Sequence, residues 1–257
     1  MANRLVVVAL TGFAVAIGAA VIVTSLGGPK LRNRQGAFYG LPVFTNFSFP
    51  GSISFGGSCG GDNTSDADAT KTLAWTDSSD KITIDLAANV NWAPGSGTNV
   101  SLSGPAADVN RIRIDGDEIT ADCEPDDFRR LTITLPGRMF KDYEMNGVGQ
   151  LHLTGLNQPS ISLDVSGAAL VDAAGVVPQT NLTVSGAASI NLEHLITQDL
   201  KADLSGASNL TANPAETADI DLSGAGLVTL LTRPKNYHAD IEGLGHIDVP
   251  DQPTQPD

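Results

Sequence analysis

The chain has 257 residues, and its 29 Asp and Glu residues against 15 Lys and Arg residues give a formal net charge of −14. So acidic a chain repels nucleic acid phosphates, and no basic stripe offsets this, so we expect no nucleic acid partner. Charged residues make up only 17% of the chain, whereas Gly, Ser, Thr, Asn and Ala are plentiful. This profile favours extended β structure with polar turns over a helical enzyme.

The first 28 residues are predicted to be a signal peptide or an N-terminal membrane anchor. Leu5–Leu26 carries no charge, and as an apolar helix it would be about 33 Å long, enough to cross a bilayer core. Small residues at Gly18–Ala20 suit cleavage by a signal peptidase, whereas the apolar run beyond them suits a retained tether. Both readings predict an exported protein located in the periplasm, in the membrane or at the cell surface.

Residues 29–71 are predicted to be a linker or an N-terminal cap. This stretch is rich in Gly and Ser and holds five of the eight phenylalanines, between Phe38 and Phe55. Such aromatic side chains usually pack on a neighbouring core or cover its open end. The two cysteines, Cys59 and Cys123, are too few for a disulfide scaffold, and the sequence leaves open whether they form one bridge.

Strand patterns begin near Leu73. Polar and apolar residues alternate over Lys81–Leu86, Arg111–Ile114 and Leu131–Leu135, which is the period of a half-buried strand. Turn-forming Gly and Pro clusters separate these stretches, and none of them keeps a convincing helical period. We therefore assign residues 72–249 to one β domain and residues 250–257 to a proline-rich tail.

One short phrase recurs through the second half of the domain. Leu163–Ala168 reads Leu-Asp-Val-Ser-Gly-Ala, and close copies follow at Leu182–Ala187, Ala202–Ala207 and Ile220–Ala225. Including looser flanking copies, the central glycines are 18 to 20 residues apart: Gly147, Gly167, Gly186, Gly206, Gly224 and Gly243. A fixed period of this length predicts a solenoid in which each repeat forms one coil.

The columns of the aligned repeats predict the coil. The positions two residues before and four and six residues after each glycine are apolar throughout, with polar positions between them. This is a strand pattern, so each coil should hold two strands bent at the glycine, with the apolar columns facing a shared interior. The predicted fold is all-β: a single-stranded parallel β-helix, right-handed and pectin lyase-like, with an N-terminal apolar helix.

The Ser-Gly pair of each repeat is interpreted as a structural corner. Glycine adopts backbone angles closed to other residues, and a stacked serine column can hydrogen-bond along the solenoid axis. Four equivalent serines without a dedicated histidine predict no nucleophile, so we assign no catalytic residue. The corner residues are Ser166, Gly167, Ser185, Gly186, Ser205, Gly206, Ser223 and Gly224.

An acidic column stands three residues before the glycines. Its members are Glu144 and the candidate surface-binding residues Asp164, Asp203, Asp221 and Asp240, interrupted by Thr183. Paired carboxylates on adjacent coils could hold a divalent cation, but a solvated acidic face that keeps the solenoid soluble is the preferred reading. The four histidines fall in different columns, so the sequence predicts no metal set and no cofactor.

The strands at Lys81–Leu86, Asn99–Gly104 and Leu131–Leu135, followed by Ser-Gly-Ala coils, resemble the bacterial putative auto-transporter adhesin head GIN domain family, or domain of unknown function 2807. The resemblance covers Leu73–Val249 and implies a parallel β-helix without catalytic residues, in an exported bacterial protein with a role in adhesion or envelope structure. This chain differs in its long Phe- and Gly-rich lead-in and its long apolar start.

The leading functional hypothesis is a non-enzymatic envelope or cell-surface module that binds an envelope or host glycan or protein, or has a structural role. A second hypothesis is an enzyme acting on polysaccharide, for which Asp203, Asp221 and Asp240 are the candidate carboxylates. A third is a periplasmic sensor or spacer tethered by Leu5–Leu26. The sequence does not fix the oligomeric state.

Overall fold

The computed structural model describes residues 67–122 and 130–251. The apolar segment Leu5–Leu26, the Phe-rich lead-in and both cysteines lie outside these residues. Among the described residues no helix is long and apolar enough to cross a membrane. The one helix in this part of the chain, α1, spans only Ala106–Arg111, so the apolar helix of the predicted fold falls outside the described residues.

The described residues are otherwise strands and turns. In the N-terminal part the strands are β1 (Asp68–Ala74), β2 (Lys81–Asp85), β3 (Ala88–Trp92), β4 (Asn99–Pro105), β5 (Ile112–Asp115), β6 (Glu118–Ala121) and β7 (Thr132–Thr134). In the repeat region they are β8 (Asp142–Met145), β9 (Val148–Asn157), β10 (Ser160–Val165), β11 (Ala168–Val176), β12 (Gln179–Val184), β13 (Ala187–Leu230) and β14 (Asn236–Asp248).

Each repeat forms one coil with a strand on either side of the corner glycine. We call these strands the first leg, before the glycine, and the second leg, after it. First legs stack in parallel in the order β2, β8, β10, β12, and second legs in the order β3, β9, β11. Strand β13 continues through the two corners at Gly206 and Gly224 and therefore belongs to both stacks. The all-β solenoid prediction is confirmed.

The apolar columns of the repeats form the core. Met145, Val165, Val184, Leu204 and Leu222, all two residues before a corner glycine, are at most 1% exposed. The columns on the second legs are equally buried between Leu151 and Leu230. A single coil cannot bury these side chains by itself, so the core depends on the stacking of neighbours.

The corner glycines are required by space more than by backbone angle. A Cβ on Gly167 would overlap the carbonyl oxygen of Gly147 in the preceding coil, and one on Gly186 would overlap that of Gly167. Of the predicted corner glycines only Gly206 and Gly243 have positive φ in the range that favours glycine. The expectation that unusual backbone angles explain the column is therefore wrong for most corners; close approach of successive coils explains it.

The N-terminal end of the solenoid is closed by elements that break the parallel pattern. Strand β4 pairs antiparallel with β7 and β1, and β5 pairs antiparallel with β6. Helix α1 follows β4 directly and contributes Val109, which is fully buried, to the core. The alternating stretches Lys81–Leu86, Arg111–Ile114 and Leu131–Leu135 do form strands, but their antiparallel neighbours and the helix were not predicted.

Candidate functional site

The outward surface of the first legs is a flat polar face. Because side chains alternate along a strand, the residues between the apolar columns point to solvent. In-register parallel pairing then stacks equivalent residues of successive coils about 4.8 Å apart. We call this surface the polar face; it contains the acidic column and the column of corner serines.

The acidic column forms a ladder of carboxylates that Thr183 interrupts. Strand pairing sets Glu144 beside Asp164, then Asp164 beside Thr183, and Thr183 beside Asp203. Further along, Asp221 pairs with Asp240. The structure thus places all four candidate aspartates in one outward column, while their role in binding stays a prediction.

A cation balances the N-terminal end of this column. The ammonium group of Lys81 on β2 lies 2.6 Å from a carboxylate oxygen of Glu144, and the Asn146 amide donates a 3.0 Å hydrogen bond to the other oxygen. The hydrogen bond from Lys81, then that from Asn146, lowers the pKa of Glu144. The same ion pair raises the pKa of Lys81.

Asp164, on the next coil, has the opposite environment. Partial burial raises the pKa of its carboxyl group, and the neighbouring Glu144 carboxylate raises it further. The column therefore contains one carboxylate, Glu144, whose charged form is stabilised by a cation, and one, Asp164, whose charged form is disfavoured by burial and then by the neighbouring carboxylate.

The ladder does not gather its carboxylates around a point. No group of three or more His, Cys, Asp or Glu side chains in residues 67–122 and 130–251 is arranged to hold a metal ion. His152 on a second leg lies 3.1 Å from Asp172 of the next coil, away from the polar face. The column is a line of charge rather than a chelating cluster.

Two of the four corner serines hydrogen-bond to the preceding coil. Ser166 donates a 2.6 Å hydrogen bond to the side-chain oxygen of Asn146, and Ser205 donates one of 3.1 Å to the carbonyl of Val184. Both bonds run along the solenoid axis, as expected for a stacked corner. These hydroxyls are engaged in joining coils, which supports a structural reading of the column.

The polar face also carries a shallow groove that the sequence did not reveal. It has a volume of about 270 Å³ and a floor formed at Leu200, and its walls come from three successive coils. The lining polar residues are Gln179, Asn181, Asp199, Lys201, Thr217 and Asp219. In each coil they stand two and four residues before the position of the acidic column. Extending the repeat alignment toward the N-terminus would therefore have shown them as two further polar columns.

Donors and acceptors are mixed in this groove. Asn and Gln amides both donate and accept, carboxylates accept, and the ammonium group of Lys201 donates. Strand pairing sets Gln179 beside Asp199 and Asn181 beside Lys201. The groove can therefore hydrogen-bond a ligand that itself alternates donors and acceptors.

The regular coils of the chain match a known protein family. Residues 128–234 match the family model described as "Putative auto-transporter adhesin, head GIN domain". The resemblance to the GIN domain family is confirmed. The matched segment contains the coils from Gly147 to Gly224, so the GIN-domain match coincides with the regular part of the solenoid. No curated protein sequence matches the chain.

The fold can be compared with those of three solved structures. A putative adhesin from Bacteroides fragilis superimposes with a TM-score of 0.56 at 18% identity, covering 72% of this chain and 97% of that one. A putative lipid binding protein from Parabacteroides distasonis gives 0.47 at 10% identity, covering 72% and 97%. A putative adhesin from Parabacteroides merdae gives 0.36 at 14% identity, covering 72% and 96%. The first of these supports the GIN-like solenoid fold.

Proposed function

We propose that this protein is a non-enzymatic binding module of the bacterial envelope or cell surface that holds a glycan against its polar face. The observation that carries the proposal is the groove around Lys201, which is lined by six polar residues from three stacked coils. The GIN-domain match and the adhesin names of the similar proteins support an exported, adhesive role over an enzymatic one.

The chemistry of the groove favours a polyhydroxy ligand. Sugar hydroxyls donate and accept, which suits amide, carboxylate and ammonium groups in one groove. The net charge of −14 disfavours strongly anionic ligands through long-range repulsion. A neutral glycan chain lying across successive coils would meet the same spacing of polar groups at each step.

The groove lacks the features that would favour the polysaccharide-enzyme alternative. It is shallow and open, and a glycosidase needs an acid and a second carboxylate flanking a bond that is held away from bulk water. The carboxylates of Asp199 and Asp219 instead line the open groove beside Lys201. We therefore interpret them as hydrogen-bond acceptors for a bound ligand.

A glycan array probed with the full chain tests the proposal, followed by titration of the best glycan. The variant Gln179→Ala/Asp219→Ala should weaken binding at least tenfold. Its matched control is Gln150→Ala, which removes an exposed, outward-facing glutamine from the second leg β9 and should leave binding unchanged. The proposal would be rejected if the groove variant bound the glycan as tightly as the wild type, or if no glycan bound at all.

Fractionation of cells and amino-terminal sequencing of the mature protein test the location. A mature chain that begins after Leu26 would support a released module, and one that keeps this segment would support the tethered sensor or spacer.

A further inference from the structure

The C-terminal coil of the solenoid leaves a long strand edge unpaired. Strand β14 pairs in parallel with β13, from Thr217 beside Asn236 to Thr229 beside Asp248. No other strand in residues 67–122 and 130–251 pairs with it. The N–H and C=O groups of this 13-residue strand that point away from β13 therefore have no strand partner in the described part of the chain, and such an edge is a template for another strand.

The apolar columns end open at the same coil. Ile241 is 43% exposed, whereas Leu222, which precedes it in the column, is 1% exposed. Tyr237 and Leu244 are also exposed. The interior side of β14 therefore lacks the neighbour that each earlier coil has, and a partner that continued the stack would bury it.

We propose that a second copy of this chain covers the end, its β14 pairing antiparallel with the first β14 about a twofold axis through Gly243. In this arrangement the first leg of one copy lies over the second leg of the other. The axis runs through the corner, so interior side chains of both copies face a common core. The proposal concerns the solenoid end and is independent of the polar-face ligand.

The sequence of β14 is self-complementary in this register. On the solvent side His238 lies opposite the partner's Asp248, and Asp240 opposite the partner's His246. On the interior side Tyr237 meets the partner's Val249, Ala239 meets the partner's Ile247, and Ile241 meets the partner's Gly245. Directly opposed residues of an antiparallel pair point to the same face, so each of these five pairs joins polar with polar or apolar with apolar, whereas next to the axis Glu242 lies opposite the partner's Leu244.

Neighbouring registers lose this match. A shift of two residues in one direction sets His238 opposite the partner's His246, and in the other direction sets Asp240 opposite the partner's Asp248. A shift of one residue turns the apolar side chains of one copy toward the solvent side of the other. The pairing centred on Gly243 alone sets each histidine against an aspartate.

Charge exchange between the paired positions tests the register. Asp240→Arg places a cation opposite the partner's His246, and His246→Asp places two aspartates opposite each other. Because of the twofold symmetry, each altered pair occurs twice in the dimer. Each single variant should therefore raise the dimer Kd about tenfold or more. The double variant Asp240→Arg/His246→Asp restores opposite charges and should return the Kd to near the wild-type value.

The measurement is sedimentation equilibrium of the full chain in a mild detergent, with thermal unfolding as a check on folding. A disulfide trap supplies a second readout in a Cys59→Ser/Cys123→Ser background: Asp240→Cys/His246→Cys should cross-link two chains, and Asp240→Cys/Asp248→Cys should do so much less. The proposal would be overturned by a chain that stays monomeric at about 1 mM. It would also be overturned by a dimer whose Kd is unchanged in both charge variants and that the Asp240→Cys/His246→Cys variant does not cross-link.

Discussion

The two ends of the solenoid differ at equivalent positions. Ile119 on β6 and Ile241 on β14 occupy the same inward column. Ile241 stands two residues before a corner glycine, as Met145 does, and strand pairing connects Met145 to Ile84 and Ile84 to Ile119. Ile119 is fully buried because β5 folds back antiparallel over β6, whereas Ile241 is 43% exposed. A parallel stack cannot close itself; antiparallel strands and α1 close the first end, and the described residues contain no such element at the other.

The two ends and the polar face differ in what they offer a partner. The closed end needs no partner, and the polar face between the ends carries the groove. The open end keeps both an unpaired edge and exposed apolar side chains, which is the combination that favours self-association. Substitutions at matched positions can therefore break or sharpen the comparison.

Alanine in place of glycine should give the largest difference. At Gly186 the new Cβ would overlap the backbone carbonyl of Gly167, which cannot move without separating two coils. At Gly245, in the open coil, it would meet side-chain atoms of Leu222 and Ile241 instead of backbone atoms, and side chains at an open end can shift more easily than a stacked carbonyl group. We expect Gly186→Ala to lower the free energy of unfolding by about 3 kcal/mol and Gly245→Ala by less than about 1 kcal/mol.

Urea denaturation followed by circular dichroism measures both values. Equal losses at the two glycines would contradict the difference between a stacked corner and an open one.

Truncation of the two equivalent isoleucines comes next. Ile119→Ala should cost about 3 kcal/mol of unfolding free energy, because it leaves a cavity in a filled core. Ile241→Ala should cost about 1 kcal/mol or less in the monomer, because its side chain is already partly in water. Chemical denaturation at low protein concentration checks this pair, and a larger loss for Ile241→Ala would show that the end is covered.

The smallest effect concerns the ion pair that neutralises the first member of the acidic column. The Glu144 pKa is lowered, so the stabilisation is complete above about pH 4.3, the ordinary glutamate value, and is lost as pH falls through the lowered pKa. The Lys81 pKa is raised, so the stabilisation is lost at the alkaline side as pH rises through that pKa. Lys81→Met should cost about 0.5 kcal/mol at pH 7, because the pair is partly exposed.

Unfolding free energies of Lys81→Met and of Lys81→Met/Glu144→Gln, measured at pH 3 and pH 7, test this assignment. The difference between the single variant and wild type should be smaller at pH 3 than at pH 7, because the ion pair is lost as pH falls through the lowered Glu144 pKa. A cost that is independent of pH would mean that Lys81 acts through packing of its alkyl chain.

The repeated phrase was sufficient to predict the solenoid. A column such as Val165, Val184 and Leu204 reports both the strand period and the face that is buried, and strand stacking follows from it. The carboxylate ladder from Asp164 to Asp240 was predictable for the same reason, because parallel coils in register bring equal repeat positions together. What the ladder binds is a separate question that periodicity does not address.

Other features depend on contacts that have no local signature. Helix α1 has six residues, too few for a helical period to emerge, and it is held by burial of Val109. The antiparallel direction of β4 against β7 is set by the chain path rather than by alternation, which is the same for both directions. The Lys201 groove combines columns that look like ordinary polar strand positions until three coils are stacked.

Hydrogen exchange of the full chain at several protein concentrations tests the difference between the two ends most directly. At low concentration the amides of Ala239–Asp248 should exchange much faster than those of Glu118–Ala121, and their protection should rise with concentration while that of β10 and β12 stays constant. Protection of Ala239–Asp248 that equals that of Glu118–Ala121 at every concentration would contradict an open C-terminal end.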